Sequence, residues 1–574
     1  MTKVMVVGLD GADWELIMPW VRAGKLPHLQ RLLAEGCYGP LASISPPLTF
    51  PAWVSFSTGV NPGRHGVLDF FARIPGQFRV RLYNAMDIQE ERFWHRLSRE
   101  NKTVGIVGMP VNYPIEPLNG IVLPGFDTPG IGGGKAPADH MYPQSLYREL
   151  EEHCGGYWVV PNLVAFGPHQ MSQAAERIKF VTVNKGQVVD YLLTSRNWDC
   201  FVFVLGETDS VCHHFWRFHD PASPLYESDP PELRDTIFAI YRQADEILGR
   251  LLELLPPDGH LVMVSDHGMG GTSDKVIHLN LWLAQEGFLT YKEQVWKKTW
   301  WRQAQRRLLH AARDLGRRYV PHALKKFLFR KTDLIDRLES HLRYAAIDWD
   351  HTLAYSDEGF HFPSIRINLE GVEPRGRVRP GKEYEQLREK IAAKLLEWED
   401  PYNGARVVHR VYRREELYSG PQACHTPDLV IDWHQDGAYG YLWRPSAMAQ
   451  EGRPIERLDL SKSSERRFVL NRSGRHRHEG IFLGYGPAFP PGREVNGLSI
   501  MDMAPLILYL NQVSIPAGLD GRLPTDIMKG EYLQEHPPQY DSHSETGRTQ
   551  EAKPYKSDEA QEIEDRLRSL GYLE

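Results

Sequence analysis

Three distant stretches of this chain are apolar runs that end at an acid. Val4-Met5-Val6-Val7-Gly8-Leu9 runs into Asp10, Phe201-Val202-Phe203-Val204-Leu205-Gly206 precedes Asp209, and Leu261-Val262-Met263-Val264-Ser265 runs into Asp266. Short apolar runs without polar alternation are strands buried on both faces, which is how strands of a parallel sheet read. Open α/β sheets bind their ligands at the carboxyl ends of the strands. The pattern therefore predicts an α/β protein in which three unrelated stretches deliver carboxylates to one edge.

At 574 residues the chain can bury a large core, and its length predicts two to four domains. A net charge of −7 gives no general case for nucleic-acid binding. Five cysteines without a CxxC spacing argue against a disulfide framework and for a reducing compartment. The first strand begins at once, with no charged segment and long apolar stretch before it. No apolar run approaches the roughly 20 residues of a membrane helix. The expectation is a cytoplasmic protein.

Residues 1–287 alternate strand-like and helix-like patterns, with further strands at Thr103–Gly108 and Gly120–Leu123 and helices over 171–195 and 230–255. Residues 288–345 read as a basic helical insertion. Between Lys292 and Lys331 there are thirteen Lys/Arg against two Asp/Glu, with Trp296, Trp300 and Trp301 interleaved. A lid-forming hairpin is the first reading of 292–331. Peripheral contact with an anionic membrane is the second, since tryptophan with Lys/Arg suits such an interface, and recognition of a polyanionic substrate is the third. Residues 346–432 predict a small α/β cap, with strands at Ser364–Leu369, Val407–Val411 and Asp428–Ile431 and a helix over Glu383–Glu397. Residues 433–574 return to the core through a strand at Gly480–Leu483. A helix over Ser499–Leu510 follows, with Ser499 and Asp502 placed as a capping box. Residues 535–560 then read as a polar linker before a terminal helix, Ala560–Leu570.

Six metal-ligand-type side chains and one hydroxyl are spread along the chain, Asp10, Asp209, His213, Asp266, His267, His476 and Thr49, and of these Asp10, Asp209 and Asp266 stand at or just past the strand ends. Asp209 and His213 are spaced to share one helical face, although alone such a pair is often incidental. Asp266-His267-Gly268 after a buried strand is a stronger signal, because an unpaired buried carboxylate is costly. The plain alternative is an acid capping a turn. Thr49 precedes Pro51, so a helix should start just after it and offer an anion site; the plain alternative is an N-cap. His65 reads as a structural loop histidine, and Cys212 as a neighbour of His213 rather than a ligand.

In combination these residues resemble the alkaline phosphatase superfamily, and most closely its type I phosphodiesterase/nucleotide pyrophosphatase branch. The matching stretches are Gly8-Leu9-Asp10-Gly11, Gly24-Lys25-Leu26-Pro27-His28-Leu29, Thr49-Phe50-Pro51, Pro62-Gly63-Arg64-His65-Gly66, Asp209 with His213, Ser265-Asp266-His267-Gly268 and Gly474-Arg475-His476-Arg477. Gly518-Leu519-Asp520-Gly521-Arg522 closes the pattern. The resemblance implies a three-layer α/β/α sandwich with a mainly parallel sheet. It also implies two divalent metal ions, zinc first and manganese or iron as alternatives. Asp209, His213 and His476 would hold one ion, Asp10, Asp266 and His267 the other, and Thr49 would bridge toward both as nucleophile. His478 is a second candidate for the last ligand. Ala52 stands where the relatives' motif continues with an Asn, which removes one expected phosphate donor. The sulfatase pattern Cys-x-Pro-x-Arg is missing at this position.

The expected activity is hydrolysis of a phosphate mono- or diester through a phospho-threonine. Transfer of the phosphoryl group to an alcohol, as in a phosphomutase, and a membrane-associated binding protein without turnover are the other two readings.

Overall fold

The computed structural model describes residues 2–574 apart from 75–79, 132–133, 162, 164–169, 293–343, 345, 359–360, 437, 450–451, 471, 543–553 and 573–574. Its centre is a nine-stranded sheet. In chain order the strands that matter here are β1 (Val4–Leu9), β2 (Cys37–Ala42), β3 (Val104–Val107), β4 (Gly120–Leu123), β5 (Cys200–Leu205) and β6 (His260–Val264). Then follow β7 (Gly268–Ile277), β8 (Ser364–Ile367), β9 (Val408–Arg413), β10 (Leu429–Trp433), β11 (Tyr439–Trp443), β12 (Gly474–Arg477) and β13 (Glu479–Tyr485).

Across the sheet the order is β2-β13-β6-β1-β5-β3-β4, and two short strands, Arg493–Glu494 and Leu498–Ser499, run along the outer edge of β2. The five strands from β6 to β4 are parallel, and β13 enters antiparallel between β6 and β2. β1 lies between β5 and β6, with Gly8 opposite both Val204 and Val264. The three strands that the sequence ends with acids are therefore immediate neighbours whose carboxyl ends are level.

The period of two along β1 explains the three layers. Met5, Val7 and Leu9 join one buried cluster, while Val4 and Val6 join another on the opposite face. The first face is covered by α1 (Trp14–Arg22), α3 (Met171–Ser195), α4 (Glu207–His219) and α5 (Thr236–Leu254), and the second by α6 (Met503–Leu510). The helix α2 (Thr49–Thr58) contributes to both clusters, Phe50 and Val54 to the first, Ala52, Trp53 and Phe56 to the second. The expected α/β/α sandwich with a mainly parallel sheet is what the chain forms.

β7 leaves the main sheet and seeds a second one with β11, β12 and the strand Ile455–Arg457. A third sheet joins β8, β9 and β10 over the strand ends, with its own apolar core around Ile365, Val408 and Leu429. Most of the basic segment 292–331 lies outside the described residues. Its two flanks meet, since Tyr291 bridges to Ile347 and the Lys292 N–H donates to the Ala346 carbonyl at 2.9 Å.

Four boundaries differ from the sequence reading. The helix expected over 230–255 starts at Thr236, because Pro230 and Pro231 head a separate short turn. Ser499 and Asp502 do form a capping box, but around a tight turn, Ile500–Asp502, before α6 begins. The stretch 535–560 is not all linker: Tyr540-Asp541 pairs with Ile515-Pro516, and the Asp541 carboxylate accepts from Arg96 and Ser514. The last helix, α7 (Ser557–Leu570), also starts earlier than expected, with Glu559 closing its first turn onto the Lys556 N–H. Among the described residues no helix is long and apolar enough to cross a membrane.

Candidate metal centre

Each acid reaches the centre by a separate local device. Asp10 follows β1 directly and is fully buried. The next residue, Gly11, has φ +66°, and a Cβ there would sit 3.0 Å from both the Asp209 Oδ1 and the Met269 side chain. Glycine thus allows the chain to turn away with no side chain between two carboxylates. Asp209 stands in the first turn of α4, and His213 lies one turn on. A buried ion pair, Lys185 Nζ to Glu207 at 2.9 Å, ties the start of α4 to α3. Asp266 and His267 fill the turn between β6 and β7. β12 runs antiparallel to β7 with His476 opposite Met269, which stacks the His476 ring on His267 at 3.6 Å between centroids.

The three imidazoles share one arrangement. Nδ1 of His213 lies 2.9 Å from the Gly474 carbonyl, Nδ1 of His476 lies 3.0 Å from the Pro47 carbonyl, and Nδ1 of His267 lies 3.1 Å from the Gly268 carbonyl. A carbonyl only accepts, so each Nδ1 carries the proton and each Nε2 turns a lone pair inward. Nε2 of His213 and Nε2 of His476 are 3.0 Å apart, and both lie close to Asp209 Oδ1, at 3.3 and 3.4 Å. Nε2 of His267 lies 3.2 Å from Asp266 Oδ2 and 3.6 Å from Asp10 Oδ1.

These are acceptors facing acceptors. Among the described residues, Asp10 Oδ1, both oxygens of Asp209 and Asp266 Oδ2 are buried without a close hydrogen-bond partner. Burial, with Asp266 and Asp209 alongside, pushes the Asp10 carboxyl well above the usual range, and burial together with Asp209 does the same to Asp266. Burial also raises Asp209, but the adjacent His213 and His476 outweigh it and hold that carboxyl well below the usual range. Burial, then His476, pushes His267 well below the imidazole range. Converging lone pairs on carboxylate and imidazole donors are the chemistry of a divalent-cation site. Ligating atoms of Asp10, Asp266 and His267 lie within 4.8 Å of one another, as do those of Asp209, His267 and His476. His267 thus stands between two groups of donors.

Thr49 lies at the mouth of both groups. It is the first residue of α2 rather than its cap; Leu48 holds the cap position without a side-chain bond. Its hydroxyl is consequently free of capping and lies 3.1 Å from His267 Nε2. The first-turn N–H groups of α2 have no acceptor within the helix and point the same way.

Every residue expected at the centre is brought to this place. His478 is not: its Nε2 lies 2.7 Å from Ser45 Oγ, outside the donor cluster. His65 is buried, accepts the Val67 N–H and bonds Ser55, and burial pushes its pKa down to about 3, so it is a neutral structural residue. Cys212 is buried on the face of α4 toward Tyr241. Ala52 is fully buried with Trp53 and Phe56 and offers no side-chain donor.

Sequence reasoning missed three supporting residues. Trp53 Nε1 donates to Asp10 Oδ2 at 3.3 Å. Ser265 Oγ accepts the Ala12 N–H and donates to the His267 carbonyl, closing the turn that carries Asp266. Tyr572 reaches the centre from the far end of the chain. Ser265 sits inside a quoted motif and Trp53 two residues past one, so both were within reach of the sequence reading; Tyr572 carries no local signal.

The description "Type I phosphodiesterase / nucleotide pyrophosphatase" fits residues 4–442. The chain belongs to that family. It is thereby a phosphoester hydrolase, and every residue of the centre except His476 lies within the matched span. No curated protein matches the chain in sequence. Among solved structures, phosphonoacetate hydrolase from Sinorhizobium meliloti, bound to phosphonoacetate, has a TM-score of 0.51 at 14% identity, over 89% of this chain and 95% of that one. Murine ectonucleotide pyrophosphatase/phosphodiesterase 5 covers 92% of this chain and 100% of its own at 14% identity, with a TM-score of 0.47. At this identity the likeness to phosphonoacetate hydrolase shows the fold.

Proposed function

We propose that this family member is a two-metal phosphoester hydrolase in which Thr49 is the nucleophile. The observation that carries the reading is the set of inward Nε2 lone pairs and unpartnered carboxylate oxygens around one uncapped hydroxyl. Asp10, Asp266 and His267 would hold one divalent cation and Asp209, His213 and His476 the other. Zinc suits a mixed histidine and carboxylate set best, with manganese or iron as alternatives. Bound there, the ions would lower the pKa of the threonine hydroxyl and offset charge on the attacking and leaving oxygens.

The remaining work falls to the chain. α2 holds the Thr49 Oγ at the centre and aims its first-turn N–H groups at an incoming phosphoryl group. In-line attack forms the Oγ–P bond and breaks the bond to the leaving oxygen, which departs with the rest of the substrate. Water then breaks the Oγ–P bond and restores Thr49. Outside, a cleft of 1230 Å³ runs from His476 and Pro47 to Tyr412 and Trp433 of the third sheet, with Arg475 and Arg477 along it. Its size and mixed lining, aromatic with both acids (Asp13, Asp432, Glu479) and arginines (Arg475, Arg477), favour a substrate with a bulky leaving portion.

The test is a screen of zinc-loaded protein against chromogenic monoesters and diesters, with Thr49→Ala and Thr49→Ser alongside. Thr49→Ala should abolish turnover and leave metal content nearly unchanged, and Thr49→Ser should keep measurable activity. Wild-type turnover by Thr49→Ala would rule out the covalent route.

A further inference from the structure

The last described turn of the chain is built into the metal centre. α7 docks through Ile563, Leu567 and Leu570 in the main core. Arg566 Nη1 donates to the Phe126 carbonyl at 2.9 Å, and Glu562 accepts the Gly130 N–H at 3.1 Å. His214, the neighbour of the expected ligand His213, bonds the Ser569 carbonyl at 2.8 Å. Gly571 then takes φ +103°, and the Tyr572 N–H closes back on the Leu567 carbonyl at 3.0 Å. A left-handed residue after a helix reverses the chain at once, and here it turns Tyr572 inward.

Tyr572 is 6% exposed. Its ring stacks on Phe126 at 4.8 Å, packs against Phe70 at 5.8 Å, and meets the edges of His213 and His476 at 6.0 and 6.4 Å. Phe50, next to the nucleophile, closes the same aromatic group through Phe70. The Tyr572 hydroxyl is enclosed and faces the Asp209 carboxylate, with Asp10 and Asp266 alongside, but makes no close hydrogen bond to any described residue. Buried phenols almost always find a partner, because a buried hydroxyl without one costs free energy. This donor stands on the Asp209 side of the centre, beside the ring edges of His213 and His476.

The centre needs such a donor. Its carboxylates and the three Nε2 atoms can only accept, Pro51 has no N–H, and Ala52 is enclosed in the core. A phosphoryl oxygen held there would find the first-turn N–H groups of α2 and, from side chains, the hydroxyl of Tyr572. We infer that Tyr572 binds the substrate, its O–H donating to a non-bridging phosphoryl oxygen on the Asp209–His213–His476 side of the centre. This rests on the proposed function.

Tyr572→Phe in the full chain removes the hydroxyl and keeps the ring, so fold and docking of α7 should persist. A hydrogen bond to a charged acceptor corresponds to roughly a tenfold to hundredfold change in binding. The zinc-loaded variant should lose about that much kcat/KM. The second readout needs no turnover: inorganic phosphate binding by calorimetry, comparing Thr49→Ala with Thr49→Ala/Tyr572→Phe. The double variant should bind phosphate weaker by a similar factor, with equal zinc content. Unchanged kcat/KM and phosphate affinity would overturn the inference while leaving the proposed function intact. Faster turnover by Tyr572→Phe would make the residue a plug, which also overturns it. If zinc-loaded Thr49→Ala binds no phosphate, or turns over at the wild-type rate, the reading of the centre itself fails.

Discussion

Asp266→Asn should have opposite effects on the metal-free and metal-loaded protein. In the metal-free chain Asp266 Oδ2 is buried, unpartnered and 3.2 Å from the lone pair of His267 Nε2, while Oδ1 accepts the Gly11 N–H. An asparagine can keep the Gly11 bond and turn its NH₂ to His267, replacing acceptor–acceptor repulsion with a hydrogen bond. Because burial and Asp209 push the Asp266 carboxyl toward its neutral form, what the substitution relieves is an unsatisfied buried polar group, about 1–3 kcal/mol, and a neutral hydrogen bond contributes about 0.5–1.5 kcal/mol. For a chain of 574 residues, unfolding entropy scales to about 1.2 kcal/mol/K, so this gain raises Tm by about 1–4 °C. With zinc present the sign reverses, because the variant lacks one ligand. A site filled at a hundred times its Kd contributes about 2.7 kcal/mol, or about 2 °C here, and most of that should vanish. Calorimetric scans at pH 7, in chelator and in excess zinc, measure both. Metal-free Asp266→Asn melting below the metal-free parent would refute the claim that this carboxylate is strained without a cation. An undiminished zinc shift would refute its role as a ligand.

Other outcomes follow from the same geometry. Chelation should abolish turnover, and elemental analysis of the reconstituted protein should find close to two ions per chain; none after reconstitution would exclude the proposed centre. Ala52→Asn buries an amide among Trp53 and Phe56 and should destabilise by about 1–3 kcal/mol without lowering KM, as denaturant titration and kinetics would report. His65 and His260 are buried, which pushes their pKa values down to about 3 and about 4. The unfolded chain therefore binds more protons than the folded one below pH about 6.5. Stability is complete above that pH and falls toward pH 4, by up to about 1.4 kcal/mol per unit for each histidine. His260→Gln should flatten that slope in denaturant titrations at pH 7 and pH 5. The basic segment 292–331 should bind anionic vesicles at low salt and release them at high salt. Because Tyr291 and Ile347 pair, a short linker can replace the segment, and sedimentation with and without it decides the matter.

What could be read from the sequence depends on how far each interaction reaches along the chain. The apolar runs before Asp10, Asp209 and Asp266 report their own burial, and strands buried on both faces need a parallel sheet with helices over each face. That much is local. The adjacency of β5, β1 and β6 is not, yet it was implied by chemistry: three buried acids are tolerable together only where something cationic joins them. His476 was placed by resemblance alone, since what delivers it is the antiparallel pairing of β12 with β7, far from it in sequence.

The errors have the same physical origin. Thr49 read equally well as a plain cap, because the partner that distinguishes the two, His267, lies 218 positions away. Tyr572 shows the limit most sharply. Nothing near it in the chain is apolar enough to announce a core segment, and the polar stretch before it suggested a tether. Its position comes from its own stacking on Phe126 and from the docking of the helix before it, where Arg566 bonds the Phe126 carbonyl and the Ser569 carbonyl bonds His214. A site assembled from strand ends advertises its acids in sequence, because each must end a strand. The donor that meets the substrate is under no such constraint and can arrive from anywhere that packing allows.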